Sequence, residues 1–386
     1  MSLRCLVSLA LLLAPSTASA DVIRVPGEQL TIQEAVDAAG PGDQIQVSKG
    51  TYTPFTVEGK TDLEIKGNGK PVVAATGVDE AAATVLGSDR ITIAGLVIRS
   101  AMGHGVLITG STNVVVQKCT IEDVGEDGVH SDSSTQLRIE KCTIQRAVSD
   151  GVEFEADDPT PQTTNSIIAK NKFMDIDGEA LDLDGTGHEV EKNRIDGTGN
   201  EGIKLEEDSG GIRIEKNKVA NTGGDAIVAR GDANVIEKNK ITNAGNHGIN
   251  VVGDDNVAVG NKLTTGMFDG IRARGARNHY EKNKIKDFGD GFDVEADDSE
   301  FISNKMTSCR ANGFEIGSGD NGSDGNLIEK NKVSKSGENG FYVHDATNNT
   351  FQGNKASSSV GFDLLDETGA GTQTYQDNRF GTESIP

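Results

Sequence analysis

The chain has 386 residues, 48 of them glycine, no tryptophan, only 4% aromatics and a formal charge of −23. Such acidity argues against nucleic acid as a partner, because phosphates are bound by Lys and Arg that displace counterions, and against a strongly anionic polymer unless a cation mediates. Glycine richness and charge can signal disorder, but the regularly spaced Ile, Val and Phe described below exclude it.

The first twenty residues read as a secretory signal peptide: Arg4 supplies a basic start, Leu6 to Ala14 an apolar stretch, and Ala18-Ser19-Ala20 a small-residue cleavage site. The mature chain is expected to begin at Asp21 and to be secreted or periplasmic. No stretch reaches the ~20 apolar residues of a membrane-spanning helix. Beyond Cys5, in the signal, only Cys119, Cys142 and Cys309 remain, too few for a disulfide scaffold in a chain this long.

Residues 21–386 form one repeat array. A glycine, twice an alanine, followed by an apolar-x-apolar triplet recurs at Gly105, Gly128, Gly151, Ala180, Gly202, Ala226, Gly248, Gly270, Gly291, Gly313, Gly340 and Gly361, mostly 21 to 24 residues apart. Within each unit the apolar positions alternate, as in Gly248-Ile249-Asn250-Val251, which is the period of a strand with one buried face. About ten residues before each glycine stands a second column: Asn171, Asn193, Asn217, Asn239, Asn261, Asn283, Asn304, Asn331 and Asn354, continued by Asn378. Stacked asparagines pass amide hydrogen bonds from coil to coil. In the first coils Cys119 and Cys142 take these places. They are expected to stack at ~4.8 Å as small buried residues, with a disulfide between them as the alternative.

At these columns the sequence resembles the right-handed parallel β-helix superfamily over nearly all of residues 22 to 380. The segment Leu30 to Asp43 with Lys49-Gly50-Thr51-Tyr52 looks like that family's opening motif. Ile32, Ala35, Val36 and Ala39 fall on one helical face, so residues 31–39 are expected to be a helix capping the open end of the stack, stopped by Gly40-Pro41. The expected fold is therefore all-β: a single-stranded right-handed parallel β-helix, or solenoid, with a short N-terminal capping helix. The resemblance implies the fold rather than one function, since the superfamily holds pectate lyases, alginate epimerases and lyases, tailspike hydrolases, copper-maturation proteins and noncatalytic surface proteins. Two longer steps, around 156–165 and 318–325, are expected to emerge as loops beside the glycine-led strand.

If the first and third residues after each glycine point inward, the second and fourth form an outer stripe. Glu153 then stacks on Asp182, and Glu155 on Asp184 and Glu206. Five like charges so placed repel one another, unless solvent screens them, their pKa values rise, or a hard cation joins them; Ca²⁺, with six to eight oxygen ligands, suits the set. Asp157 and Asp158 of the neighbouring loop offer further oxygens. Next along the stripe come Lys204, Arg230, Arg272 and Arg274. In kind this resembles pectate lyases, which hold Ca²⁺ with carboxylates and abstract the proton beside a uronate with Arg or Lys. Lys204, Arg230 and Arg272 are the candidate catalytic cations. His344 is a further candidate base, because Gly340-Phe341-Tyr342-Val343-His344 matches part of an epimerase motif while carrying Tyr342 and Val343 where that motif has Asp and Pro. Satisfied surface charge is the alternative for each.

Two other patterns have a structural reading. The basic column Lys172, Arg194, Lys218, Lys240, Lys262, Lys284, Lys305, Lys332, Lys355 and Arg379 is expected to be solvated surface balanced by Glu191, Glu215, Glu237, Glu281 and Glu329, or else a track for an anionic chain. The Asp-Gly pairs at 127, 150, 269 and 290 fit turn chemistry. Two functions follow: a lyase or epimerase acting on uronate-containing polysaccharide with Ca²⁺, or a noncatalytic exported scaffold that binds carbohydrate. Scarce Trp and Tyr weigh against the first, and the missing complete motif favours the second.

Overall fold

The computed structural model describes residues 20–386 apart from 78–80, 101, 156–161 and 318–322. The signal segment, Asp157, Asp158 and most of the 318–325 insertion therefore lie outside the described residues. Among the described residues three parallel sheets of 16, 15 and 14 strands run along the stack, successive coils adding a strand to each. This is the right-handed parallel β-helix expected from the repeat.

The alternation that marks the strands also orients them. In Val152–Glu155, Leu181–Leu183 and Ile203–Leu205 the apolar residues are buried and the polar ones face outward. Close approach holds most of the strand-opening positions to glycine, with alanine at Ala180 and Ala226. A Cβ on Gly151 would lie 2.5 Å from the Ala180 carbonyl oxygen and 2.6 Å from Phe173; one on Gly248 would lie 2.4 Å from Leu263.

The asparagine column is an internal ladder. Asn239 illustrates the rule: its backbone N–H donates to Asn261 Oδ1 at 2.9 Å, its Oδ1 accepts the Asn217 N–H at 2.9 Å, and its Nδ2 donates to the Ile214 carbonyl at 2.8 Å. The preceding residue turns the corner in the left-handed region, with φ of 54° at Lys238. The ladder meets the donors and acceptors that this corner points into the core, where an orphan would cost about 1–3 kcal/mol. Cys142 takes one half of the role: its Sγ donates to the Val116 carbonyl at 3.5 Å, as Nδ2 does elsewhere. Both Cys119 and Cys142 are buried free thiols, so the disulfide alternative is not realised.

A second ladder at another corner runs through Asn234, Asn256 and Asn278, continues by Ser299 to Asn326 and Asn349, and ends on Gln373. The helix Ile32–Ala38 caps the N-terminal end and buries Ile32, Ala35 and Val36; Thr31 and Glu34 form its capping box. Towards the C-terminus the core is filled with stacked rings: Phe292 on Phe314 at 4.8 Å, Phe314 on Phe341 at 5.2 Å, and Tyr280 on Phe301 at 4.9 Å. Much of the small aromatic complement is thus packed inside.

Candidate functional site

The strands Val152–Glu155, Leu181–Leu183 and Ile203–Leu205 are neighbours in the 15-stranded sheet, in the register Glu153↔Asp182↔Lys204. Their outward side chains and the following turn enclose a cleft of about 400 Å³ lined by Glu153, Glu155, Asp182, Asp184 and Glu206, with Gln162, Glu207 and Asp208 at its wall. All five carboxylates proposed from sequence as cation ligands therefore come together.

Lys204 lies among them. Its Nζ is 2.8 Å from Asp182 Oδ2, ion-pairs with Glu206, and is 4.0 Å from Glu179. Burial disfavours its charge, but Asp182 and Glu206 outweigh burial and hold its pKa above the ordinary value. Lys204 is an anchored ammonium while those carboxylates are its partners. Arg230 closes the same side through Glu206 at 3.3 Å. Arg272 is three strands beyond Lys204, ~14 Å away at the ~4.8 Å strand spacing, where it holds Asp293 at 3.2 Å and Glu295. His344 is six strands beyond Lys204, ~29 Å, stacked on Tyr342 and 3.3 Å from Glu315. Lys204 and Arg230 thus reach the cleft's edge through its carboxylates Asp182 and Glu206, whereas Arg272 and His344 lie away from it.

The structure adds residues that the outer-stripe reading passed over. Asp127, Asp150 and Glu179 stand just before the glycine or alanine that opens each strand. Asp127 Oδ1 accepts the Asp150 N–H at 2.8 Å, and Asp150 Oδ1 accepts the Glu179 N–H at 2.7 Å. The Asp-Gly pairs are indeed at corners, but their carboxylates tie one coil to the next. Asp127 Oδ2 also lies 3.1 Å from Nδ1 of both His104 and His130. His130 Nδ1 reaches Glu153 at 2.9 Å, and its Nε2 reaches Asp132 at 3.0 Å. Through the backbone amides of Asp150 and Glu179, the imidazoles of His104 and His130 are thereby linked to the acids beside Lys204.

Burial and hydrogen-bonded partners compete to set the charges of this network. It works against charge on His130, yet Asp127 and Glu153 prevail and push the imidazole up to about 11. Asp127 is raised by burial, but hydrogen bonds from the two histidines win and hold it far below the carboxylate range. Asp150 is pushed up to about 8 by burial and by the adjoining Glu179. Asp182 rises to about 6 because burial outweighs Lys204.

Oxygen atoms of Asp150, Glu179 and Asp182 lie within 4.8 Å of one another, and Asp182 Oδ1 is buried without a hydrogen-bond partner. An oxygen-only donor set with an unsatisfied buried carboxylate oxygen fits a hard cation.

With this geometry in place, the comparisons with known proteins agree on the fold. The family described as "Right handed beta helix region" matches residues 62–219, 104–263 and 257–381. The chain belongs to this family. No curated protein sequence matches this β-helix. Among solved structures it is similar to the siphovirus 9NA tailspike receptor binding domain (TM-score 0.57, 10% identity, 95% of this chain and 77% of that one). It is also similar to the Azotobacter vinelandii mannuronan C-5 epimerase AlgE6 A-module (TM-score 0.55, 15% identity, 92% and 93%). A third similarity is to tailspike protein 3 of bacteriophage CBA120 (TM-score 0.56, 14% identity, 85% and 57%). At these identities the likeness is one of fold. Among the described residues no helix is long and apolar enough to cross a membrane.

Proposed function

We propose that this β-helix is an exported polysaccharide-active protein that works on a uronate-containing polymer in the carboxylate cleft, as a lyase or epimerase assisted by Ca²⁺. The observation that carries the reading is the meeting of Glu153, Glu155, Asp182, Asp184 and Glu206 around one cleft, with Asp182 Oδ1 buried and unpartnered. Asp182, together with Asp150 and Glu179, whose oxygens lie within 4.8 Å of one another, would hold the ion, and Glu153, Glu155, Asp184 and Glu206 would add negative charge around it. When bound, Ca²⁺ supplies positive charge against the substrate carboxylate and against the negative charge that grows beside it as the neighbouring proton leaves. Lys204 and Arg230 add fixed positive charge at the same edge. Lys204 becomes a proton acceptor only when Asp182 and Glu206 are engaged elsewhere, because those carboxylates keep it protonated. A mannuronan epimerase among the similar structures is in keeping with this substrate class.

The test is incubation with polygalacturonate and alginate, with Ca²⁺ or with a chelator, following the ultraviolet absorbance of unsaturated uronates and the proton NMR of the C-5 positions. A lyase gives Ca²⁺-dependent absorbance; an epimerase changes the NMR ratio without absorbance. If neither signal moves, the catalytic reading is lost.

A second reading, a noncatalytic carbohydrate-binding scaffold, is favoured by the ion pairs that occupy Lys204, Arg230 and Arg272. It is distinguished by polymer binding that leaves the polymer chemically unchanged.

A further inference from the structure

The 14-stranded sheet carries a feature that the cleft does not use. Lys240, Lys262, Lys284, Lys305, Lys332 and Lys355 are Cα partners from strand to strand, one per coil, and all are exposed. Stacked at ~4.8 Å they repel one another, and like charges opposed in a sheet are destabilising. The sequence suggested that nearby glutamates balance this column. The glutamates are instead engaged by the lysines of the corner before each asparagine: Glu237 by Lys238, Glu281 by Lys282 and Glu329 by Lys330. Among the described residues none of the six ladder lysines has a carboxylate partner within 4.0 Å. The positions two residues further along each strand are Thr242, Thr264, Lys286, Thr307, Ser334 and Ser357, so that row of the outer face brings no acid either. Lys284, Lys305, Lys332 and Lys355 also line a groove of about 460 Å³ with Lys330 and Asn304. A chain of charge −23 has thus kept an uncompensated positive row along its axis.

We propose that this lysine ladder is a docking track for a linear anionic polysaccharide lying along the helix axis. Charge complementarity selects a polyanion, and one cation per strand spacing matches a polymer with about one charge per sugar ring. The hydroxyls of Thr242, Thr264, Thr307 and Ser334 beside the lysines are suited to sugar hydroxyls. Nucleic acid is disfavoured, since the row beside the lysines holds hydroxyls and a lysine but no aromatic ring on which bases could stack. The track lies on a different sheet from the cleft and does not depend on the cleft being catalytic.

The experiment measures binding of the full chain to immobilised polygalacturonate in EDTA, across a salt series, with neutral dextran and a single-stranded oligonucleotide as competitors. The wild type is expected to bind, with affinity falling roughly ten-fold or more between 50 and 200 mM salt. The Lys284→Gln/Lys305→Gln/Lys332→Gln protein is expected to lose at least roughly ten-fold in affinity, while Lys66→Gln, at an exposed lysine of the 16-stranded sheet, binds as wild type. Should the triple variant melt early, Lys240→Gln/Lys262→Gln/Lys355→Gln reads the same track. Absence of wild-type binding in EDTA, unchanged binding by a folded triple variant, equal competition by dextran, or stronger competition by the oligonucleotide overturns the proposal.

Discussion

Asp182 gives one carboxylate oxygen to Lys204, at 2.8 Å, and buries the other with no partner. That asymmetry makes cation binding measurable as stability. Millimolar Ca²⁺ is expected to raise the melting temperature by several degrees, since a ligand at 100 times its Kd adds about 2.7 kcal/mol. Asp182→Asn is expected to remove most of the rise. A melting curve that ignores Ca²⁺ in the wild type, followed by scanning fluorimetry against a chelator control, would sink the cation reading.

Stability is expected to fall as pH rises through the neutral range. Asp150 and Asp182 have folded pKa values, about 8 and about 6, above the ~4 of an unfolded carboxylate, so the folded state holds more protons between those limits. Their contribution is complete below about pH 4 and is lost as pH passes 6 and then 8. His130, raised to about 11, has the same sign over a higher window: its contribution is complete below the unfolded value of ~6.5 and is lost towards 11. Asp127 opposes them only in acid, and His188, pushed down to about 4 by burial, opposes them up to about pH 6.5. Urea unfolding at pH 5 and pH 8 should therefore differ by on the order of 1–3 kcal/mol, and Asp150→Asn, which retains an oxygen for the Glu179 N–H, should flatten the slope. Equal stabilities at the two pH values would contradict these assignments.

The asparagine ladder should be costly to interrupt. Asn239→Ala orphans the Asn217 N–H and the Ile214 carbonyl and leaves a void, for a loss of about 2–4 kcal/mol. Cys142→Asn should do the reverse. An amide there can still donate to the Val116 carbonyl and gains an acceptor for the Cys119 N–H, adding about 1 kcal/mol. Denaturation midpoints decide both, and an unchanged midpoint for Asn239→Ala would be fatal to the ladder's energetic role.

Tyr280 is fully buried between Phe292 and Phe301, and its hydroxyl has no hydrogen-bond partner. Tyr280→Phe keeps the stacking and removes the stranded hydroxyl, so the midpoint should rise by about 1 kcal/mol. A fall in the midpoint would reveal a partner for that hydroxyl.

The fold was legible because two columns keep a constant residue type for a constant steric reason: glycine where strands press on side chains, asparagine where the left-handed corner exposes backbone. The second ladder escaped notice because its corner tolerates Ser166, His188, Ile212 and Ser299 as well as asparagine, leaving no repeated letter. The carboxylates that line the cleft were visible for a similar reason, and the corner residues beside it were not. Period-two alternation puts Glu153, Asp182 and Lys204 in one stripe, whereas Asp127, Asp150 and Glu179 arrive from the corner, outside that alternation. The pairing of the basic column was misassigned because Lys238 and its equivalents occupy the left-handed corner beside their glutamates, while Lys240 starts the next sheet.

The in-register ladder also makes the molecule a ruler with a fixed graduation. Since Lys240 meets Lys262 as Lys262 meets Lys284, removing one whole coil rejoins equivalent residues, whereas removing half a coil joins nothing. Separations along the axis, such as that between Lys204 and His344, therefore change only in whole increments of ~4.8 Å. A lineage built this way can adjust the distance between two surface features by duplication or loss of a repeat, without redesigning either feature.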